Sequence, residues 1–102
     1  MNAIRPSPRI VETANWIFRD GGKILSVRSH GRDRFYLPGG KIDADETAIE
    51  ALIREIREEL GVMLIEKSIR PLGIHAGRGH NQPSAVIVRM QCFAARLTGK
   101  LT

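Results

Sequence analysis

Residues 40–62, GKIDADETAIEALIREIREELGV, constrain the fold of this chain more than any other stretch. Thr47 to Glu50 fits a capping box, in which the Thr47 hydroxyl and the Glu50 carboxylate each satisfy a backbone donor at the start of a helix. Gly61 suits the left-handed position that closes one. A helix from Ala48 to Leu60 is therefore expected. Ile49, Leu52, Ile53, Ile56 and Leu60 recur along it with the period of a core-facing stripe. Opposite the stripe stand Glu55, Glu58 and Glu59, with only Ala48 and Ala51 beside them. Arg54 and Arg57 are expected to point away, so that i,i+4 pairing leaves the acidic face uncompensated. One face packs and the other stays open.

Three carboxylates at spacings of three and four share a helix face and repel one another unless a positive charge sits among them. They form either a solvated acidic surface or a site for a hard divalent cation, magnesium or manganese, which binds carboxylate oxygens and keeps several waters. No Cys/His set that would favour zinc accompanies them.

Gly40, Glu46, Arg54, Glu55, Ile56, Glu58, Glu59, Gly61 and Val62 fill, at fixed spacing, every position of the signature of the Nudix or MutT-like hydrolases, which this sequence resembles. Tyr36-Leu37-Pro38-Gly39-Gly40 is similar to that family's approach to its signature. The resemblance implies an α/β/α sandwich around a mixed sheet, as a single domain over residues 1–102 that lacks the family's last strand and C-terminal helix. It implies magnesium, with manganese as a substitute, bound by Glu55, Glu58, Glu59 and the Gly39 carbonyl. Glu55 is the first choice for deprotonating an attacking water and Glu58 the second. Arg54 would pair with Glu46 and orient Glu55, while Gly40, Glu46, Ile56, Gly61 and Val62 shape the loop and helix. The bond broken would be a diphosphate linkage in a nucleoside diphosphate joined to another group.

The substrate is less constrained. Family members acting on dinucleoside polyphosphates often carry a tyrosine shortly after the signature, whereas Tyr36 is the only tyrosine here and precedes it. ADP-ribose hydrolases often show a proline where this chain has Gly77 or Arg78. Val27-Arg28-Ser29 echoes the coenzyme A subgroup faintly. By elimination a nucleoside triphosphate leads, with a catalytically silent nucleotide sensor and a nucleic-acid binding or end-processing domain as alternatives.

At 102 residues and 42% hydrophobic content the chain suffices for one modest core. No run reaches transmembrane length and Met1 to Arg9 contains no signal-peptide h-region, so a cytoplasmic, membrane-free protein is expected. Association as a homodimer is left open. Cys92, the single cysteine, lies in an apolar run and reads as a buried structural thiol. The net charge of +5 is unevenly placed: all 11 acidic residues fall at or before Glu66. A basic C-terminal third attracts phosphates of nucleotides or nucleic acid. Arg28, Arg32 and Arg34, around the polar segment 29–34, are candidate polyphosphate contacts because guanidinium geometry matches phosphate oxygens.

Ile10 to Phe18 is expected to be a strand with Trp16 in the core. Asp20-Gly21-Gly22 should turn it into a hairpin with Lys23 to Arg28. Ile69 to His75 reads as a strand interrupted at Pro71 by an edge or bulge, Gly77 to Pro83 as a loop, and Ala85 to Phe93 as a central strand. His75 and His80 are too sparse to bind a metal by themselves. Leu97 to Lys100 resembles the start of a turn.

Overall fold

The computed structural model describes residues 9–28, 35–78 and 86–99. Helix α1 spans Ala48–Leu60, as its caps predict. The Glu50 N–H donates to Thr47 Oγ1 at 3.1 Å, and the Thr47 N–H donates to Glu50 Oε1 at 2.8 Å. At the other end Gly61 takes φ 70° and donates its N–H to the Arg57 carbonyl.

A four-stranded mixed sheet carries the helix. Strand β1 (Arg9–Trp16) lies between antiparallel β6 (Gly39–Lys41) and parallel β9 (Val86–Ala94); β9 in turn pairs antiparallel with β8 (Arg70–Arg78). The expected central strand is therefore β9. Pro71, which has no N–H to give to a ladder, sits on edge strand β8, where the register shifts between Pro71 and Gly73. That strand runs on through Gly77 and Arg78, two residues assigned by composition to a loop.

Because paired residues share a sheet face, Trp16 and Phe93 point together toward α1. They meet Ala14, Ala51, Leu52, Ile56, Val62, Leu64 and Ile69 in one core. Trp16 is fully buried, donates its indole N–H to the Ala95 carbonyl at 3.0 Å and stacks on Phe18, with ring centroids 4.8 Å apart. The helix buries a wider arc than its stripe suggests: Ala51 is fully buried, whereas Ile49, Ile53 and Leu60 are only partly so.

The expected long hairpin is not formed. Gly21 and Gly22, at φ 57° and 80°, make a tight turn between two-residue strands β2 (Arg19–Asp20) and β3 (Lys23–Ile24). Next along the chain, β4 (Val27–Arg28) pairs with β5 (Phe35–Tyr36). Strand β1 takes other partners because Ala14, Asn15 and Trp16 are all buried, and a two-stranded ribbon cannot cover both faces of a strand. Three short strands escaped sequence reasoning: β6, where Pro38-Gly39-Gly40 suggests only a turn, and β7 (Met63–Leu64), following the helix, which pairs with β10 (Leu97–Thr98), where a turn is expected. Among the described residues no helix is long and apolar enough to cross a membrane.

Candidate active site

Arg54 is the hub of the site, and it does not point away from the carboxylates. Its Nε and Nη2 donate to Glu46 at 3.1 and 2.5 Å, a two-pronged pair, while Nη1 donates to Glu55 Oε1 at 2.7 Å. Glu58, one turn on, comes within 3.6 Å of the same Nη1, and Asp43 within 3.5 Å of Nη2. The expectation of an uncompensated acidic face is therefore corrected. A long, flexible side chain delivers its charge far from the direction of its own Cβ, so helical phase alone misplaces it. Arg57, in contrast, is exposed.

The guanidinium is fixed from outside the helix as well. Its Nη2 donates to the Lys41 carbonyl on β6 at 3.1 Å, and the Asp43 N–H donates to Glu46 Oε1 at 2.8 Å. Arg54 holds the Glu46 carboxyl below the usual range, and Glu46 and Glu55 in return raise the pKa of the guanidinium. The clamp stays charged on both sides at neutral pH.

Two adjacent glycines bring β6 against the carboxylates. Gly40 stands under Glu55: a Cβ there would lie 2.5 Å from both the carboxyl carbon and Oε2. Gly39, at φ 142°, donates its N–H to Glu59 Oε1 at 3.1 Å. Burial pushes the Glu59 carboxyl up, the Gly39 N–H opposes this, and the charge of Glu55 raises it further. Both Glu58 and Glu59 are exposed, Glu58 with 62% of its side chain accessible, and they differ in that Glu59 is held by the Gly39 N–H.

Asn15 secures this approach and was missed in the sequence, where it sits among strand-forming residues. It is 6% exposed, and its Nδ2 donates to the Leu37 carbonyl at 3.1 Å and, more weakly, to the Pro38 carbonyl at 3.5 Å. Thr13 Oγ1 donates to Asn15 Oδ1 at 2.7 Å. A polar amide flanked by Ala14 and Trp16 was the available signal, since a buried amide needs partners.

Beside Gly39 and Glu59 a cavity of about 470 Å³ opens over the sheet face that α1 does not cover. Thr13, Asn15, Val88 and Met90 form its floor, and Phe35 and Tyr36 stand at one side. Its volume and largely apolar lining beside acidic groups suit a small organic moiety carrying a charged tail.

A family model for the NUDIX domain matches residues 8–102 of the chain. The chain belongs to the Nudix family. Among curated relatives, the RNA pyrophosphohydrolase of Stutzerimonas stutzeri is 33% identical over 109 residues, covering 96% of this chain and 64% of that protein. The chain thus spans less than two thirds of that relative's length. A MutT NUDIX hydrolase from Burkholderia pseudomallei superposes with a TM-score of 0.75 at 23% identity, covering 92% of this chain and 73% of that one, and shows the fold. The Bacillus subtilis pyrophosphohydrolase superposes with a TM-score of 0.63 at 28% identity, covering 93% and 54%.

In this Nudix chain, Ile56 and Val62 are core residues and Gly61 is the helix cap. Among the described residues no three Asp, Glu, His or Cys side chains already converge as a closed metal cage. The donor chemistry nevertheless fits a hard divalent ion. Glu55 and Glu59 are close enough to raise a carboxyl pKa by repulsion, Glu55 lies over a glycine, and both offer hard oxygens. An open set of this kind suits an ion that completes its shell with water and substrate phosphates.

Of the arginines expected to hold polyphosphate, Arg28 is exposed on β4, beside Val27 of the cavity wall. Arg32 and Arg34 lie outside the described residues, as does His80. His75 is exposed on β8. Cys92 is 2% exposed, and burial pushes its thiol up, away from the reactive thiolate.

Proposed function

We propose that this Nudix chain carries the catalytic core of a pyrophosphohydrolase, cleaving a diphosphate linkage in a nucleoside triphosphate moiety with the help of a divalent cation, magnesium or manganese. The observation that carries this reading is the carboxylate row Glu55, Glu58 and Glu59 held between the Arg54 clamp and the Gly39-Gly40 edge, next to a cavity of nucleoside size. The activity named for the Stutzerimonas relative supports it. The chemistry a divalent ion would supply there is neutralisation of the diphosphate charge and a lowered pKa for an attacking water.

The chain's own groups have distinct tasks in this mechanism. Glu55 and Glu59 would hold the ion, Glu58 would join from the exposed turn, and the Gly39 carbonyl is a further candidate ligand. Glu55 takes the proton of the attacking water through its Oε2, because Oε1 is engaged by Arg54. Arg54 positions Glu55 and is itself fixed by Glu46 and the Lys41 carbonyl. The apolar cavity over Val88 and Met90 takes the nucleoside, leaving its phosphates toward Glu59 and Gly39. Arg28, Arg32 and Arg34 are candidates for the phosphates' outer oxygens.

The test is phosphate and pyrophosphate release from nucleoside triphosphates, ADP-ribose, dinucleoside polyphosphates and coenzyme A, with and without magnesium. Release from the triphosphates that EDTA abolishes is expected. Nucleotide binding without metal-dependent release from any of them would replace the hydrolase with a silent sensor. Within the hydrolase reading, Arg54→Ala is expected to lower kcat about 10–100-fold with a smaller change in KM, as for a residue supporting a ligand from behind. A change confined to KM would place Arg54 on the substrate.

A further inference from the structure

The peptide unit joining Pro38 to Gly39 connects the centre of the sheet to the carboxylate row. Its carbonyl accepts from the Trp16 N–H on β1 at 2.8 Å and, more weakly, from Asn15 Nδ2 at 3.5 Å. Its N–H donates to Glu59 Oε1 at 3.1 Å. In a planar trans unit the carbonyl and the N–H point in opposite directions, so the donors that hold one side set the aim of the other. Turning the unit over would bring the Pro38 carbonyl to face the Glu59 carboxylate, acceptor against acceptor.

The backbone by itself gives this plane little rigidity. Gly39 has no Cβ and sits at φ 142°, a region that side chains rarely enter. The preceding unit, Leu37-Pro38, has no N–H by which to be held, because proline lacks one. A single ladder bond from Trp16 leaves the next unit free to pivot about the Pro38 carbonyl. Asn15 supplies the remaining points: its Nδ2 reaches the Leu37 carbonyl at 3.1 Å as well as that of Pro38, so one amide spans two successive peptide units. The amide is itself oriented, since the Thr13 hydroxyl donates to its Oδ1 at 2.7 Å and a reversed amide would set its oxygen against two carbonyls. Asn15 is 6% exposed, and burial strengthens each of these bonds.

We propose that Asn15 is a positioning residue: by gripping the Leu37 and Pro38 carbonyls it keeps the Gly39 N–H aimed at Glu59, and so presets that carboxylate for a divalent cation. The role toward the cation rests on the hydrolase reading, whereas the role toward Glu59 rests on the hydrogen bonds alone. Asn15 makes no hydrogen bond to any residue of the carboxylate row; its influence passes through one peptide plane. Donors on the Pro38 carbonyl also polarise the unit, which strengthens the hydrogen bond that its N–H makes to Glu59. Partners that orient a metal ligand from behind typically govern about 10–100-fold in metal affinity.

The experiment uses Asn15→Leu, which roughly keeps the volume and removes the amide donors, and reads two quantities without substrate. The first is the Gly39 amide proton resonance in EDTA, where the contribution of the bond to Glu59 is identified by its response to Glu59→Gln. The second is the dissociation constant for Mn²⁺, from the electron paramagnetic resonance of the free ion. Cys92→Ala is the control for general loosening: Cys92 is buried, is the register partner of Asn15 on β9 and does not touch the Pro38-Gly39 unit. Thr13→Val, which leaves Asn15 Oδ1 without its donor, is the milder variant should Asn15→Leu not fold. In Asn15→Leu the Gly39 amide proton should move upfield as it does in Glu59→Gln, and Mn²⁺ should bind about 10–100-fold more weakly. Thr13→Val should shift both in the same direction by less, and Cys92→Ala neither. A Gly39 resonance unchanged in both Asn15→Leu and Thr13→Val, or moved equally by Cys92→Ala, overturns the proposal. The expected Gly39 shifts with no Mn²⁺ binding by the wild type keep Asn15 as the support of Glu59 and overturn the metal-dependent hydrolase reading.

Discussion

Glu55→Gln is expected to lower metal-dependent turnover by about 10²–10⁴-fold, the range for removal of a general base, while leaving the fold intact. The amide matches the carboxylate in size, so it still fits over Gly40 and still accepts a hydrogen bond from Arg54 through its oxygen. It no longer takes a proton from water, and it binds a hard cation poorly. Glu58→Gln should cost less, about 10–100-fold by analogy with supporting ligands, because the side chain is mostly exposed and only brushes Arg54. Turnover against magnesium concentration distinguishes the two: Glu58→Gln should be partly rescued by excess metal and Glu55→Gln should not. Full activity of Glu55→Gln would remove it from the chemistry.

The neighbouring glycines should fail in opposite ways when replaced by alanine. At Gly39 the new Cβ would overlap the Ala14 carbonyl oxygen and stand 2.8 Å from the Asn15 Cα, both backbone atoms of the central strand β1. The φ of 142° adds strain for any side chain. Overpacking of about 1–3 kcal/mol and backbone strain of similar size should lower Tm by more than about 10 °C in a domain this small. At Gly40 the obstacle is the carboxyl end of Glu55, which swings aside at about 1 kcal/mol. Gly40→Ala should thus melt near the wild-type temperature yet lose most of its turnover. Calorimetry and a turnover assay on both variants check this; equal melting points for the two would contradict the packing described.

What the sequence disclosed was mostly local. The helix could be bounded by its capping box and terminal glycine, because Thr47, Glu50 and Gly61 act over four residues or fewer. Pro71 marked its own edge position, and the long apolar run marked β9. The partner of β1 was not legible, because the Gly21-Gly22 turn signals a hairpin as strongly for a two-residue ribbon as for a long one. The spacing of Glu55, Glu58 and Glu59 gave the site its place on the helix. Its charge balance depended on the reach of Arg54, and its rigidity on Asn15, which holds the Leu37-Pro38 carbonyls from another strand. Neither effect has a period that a linear reading detects.

The parallel register of β1 with β9 joins residues 77 positions apart, such as Glu12 and Arg89. Closing so large a loop is slow relative to forming a local turn or helix. During synthesis, α1 can wind and cap itself while β1 still waits for a partner that has not yet been made. The acidic row therefore lies in a segment whose helix signals are complete before β9 has been made. The Asn15 clamp and the two glycines need only β1 and β6, whereas the parallel seam of β1 must wait for residues 86–94. Slow-folding variants of this chain should accordingly trace to the β1–β9 seam and leave the helix untouched.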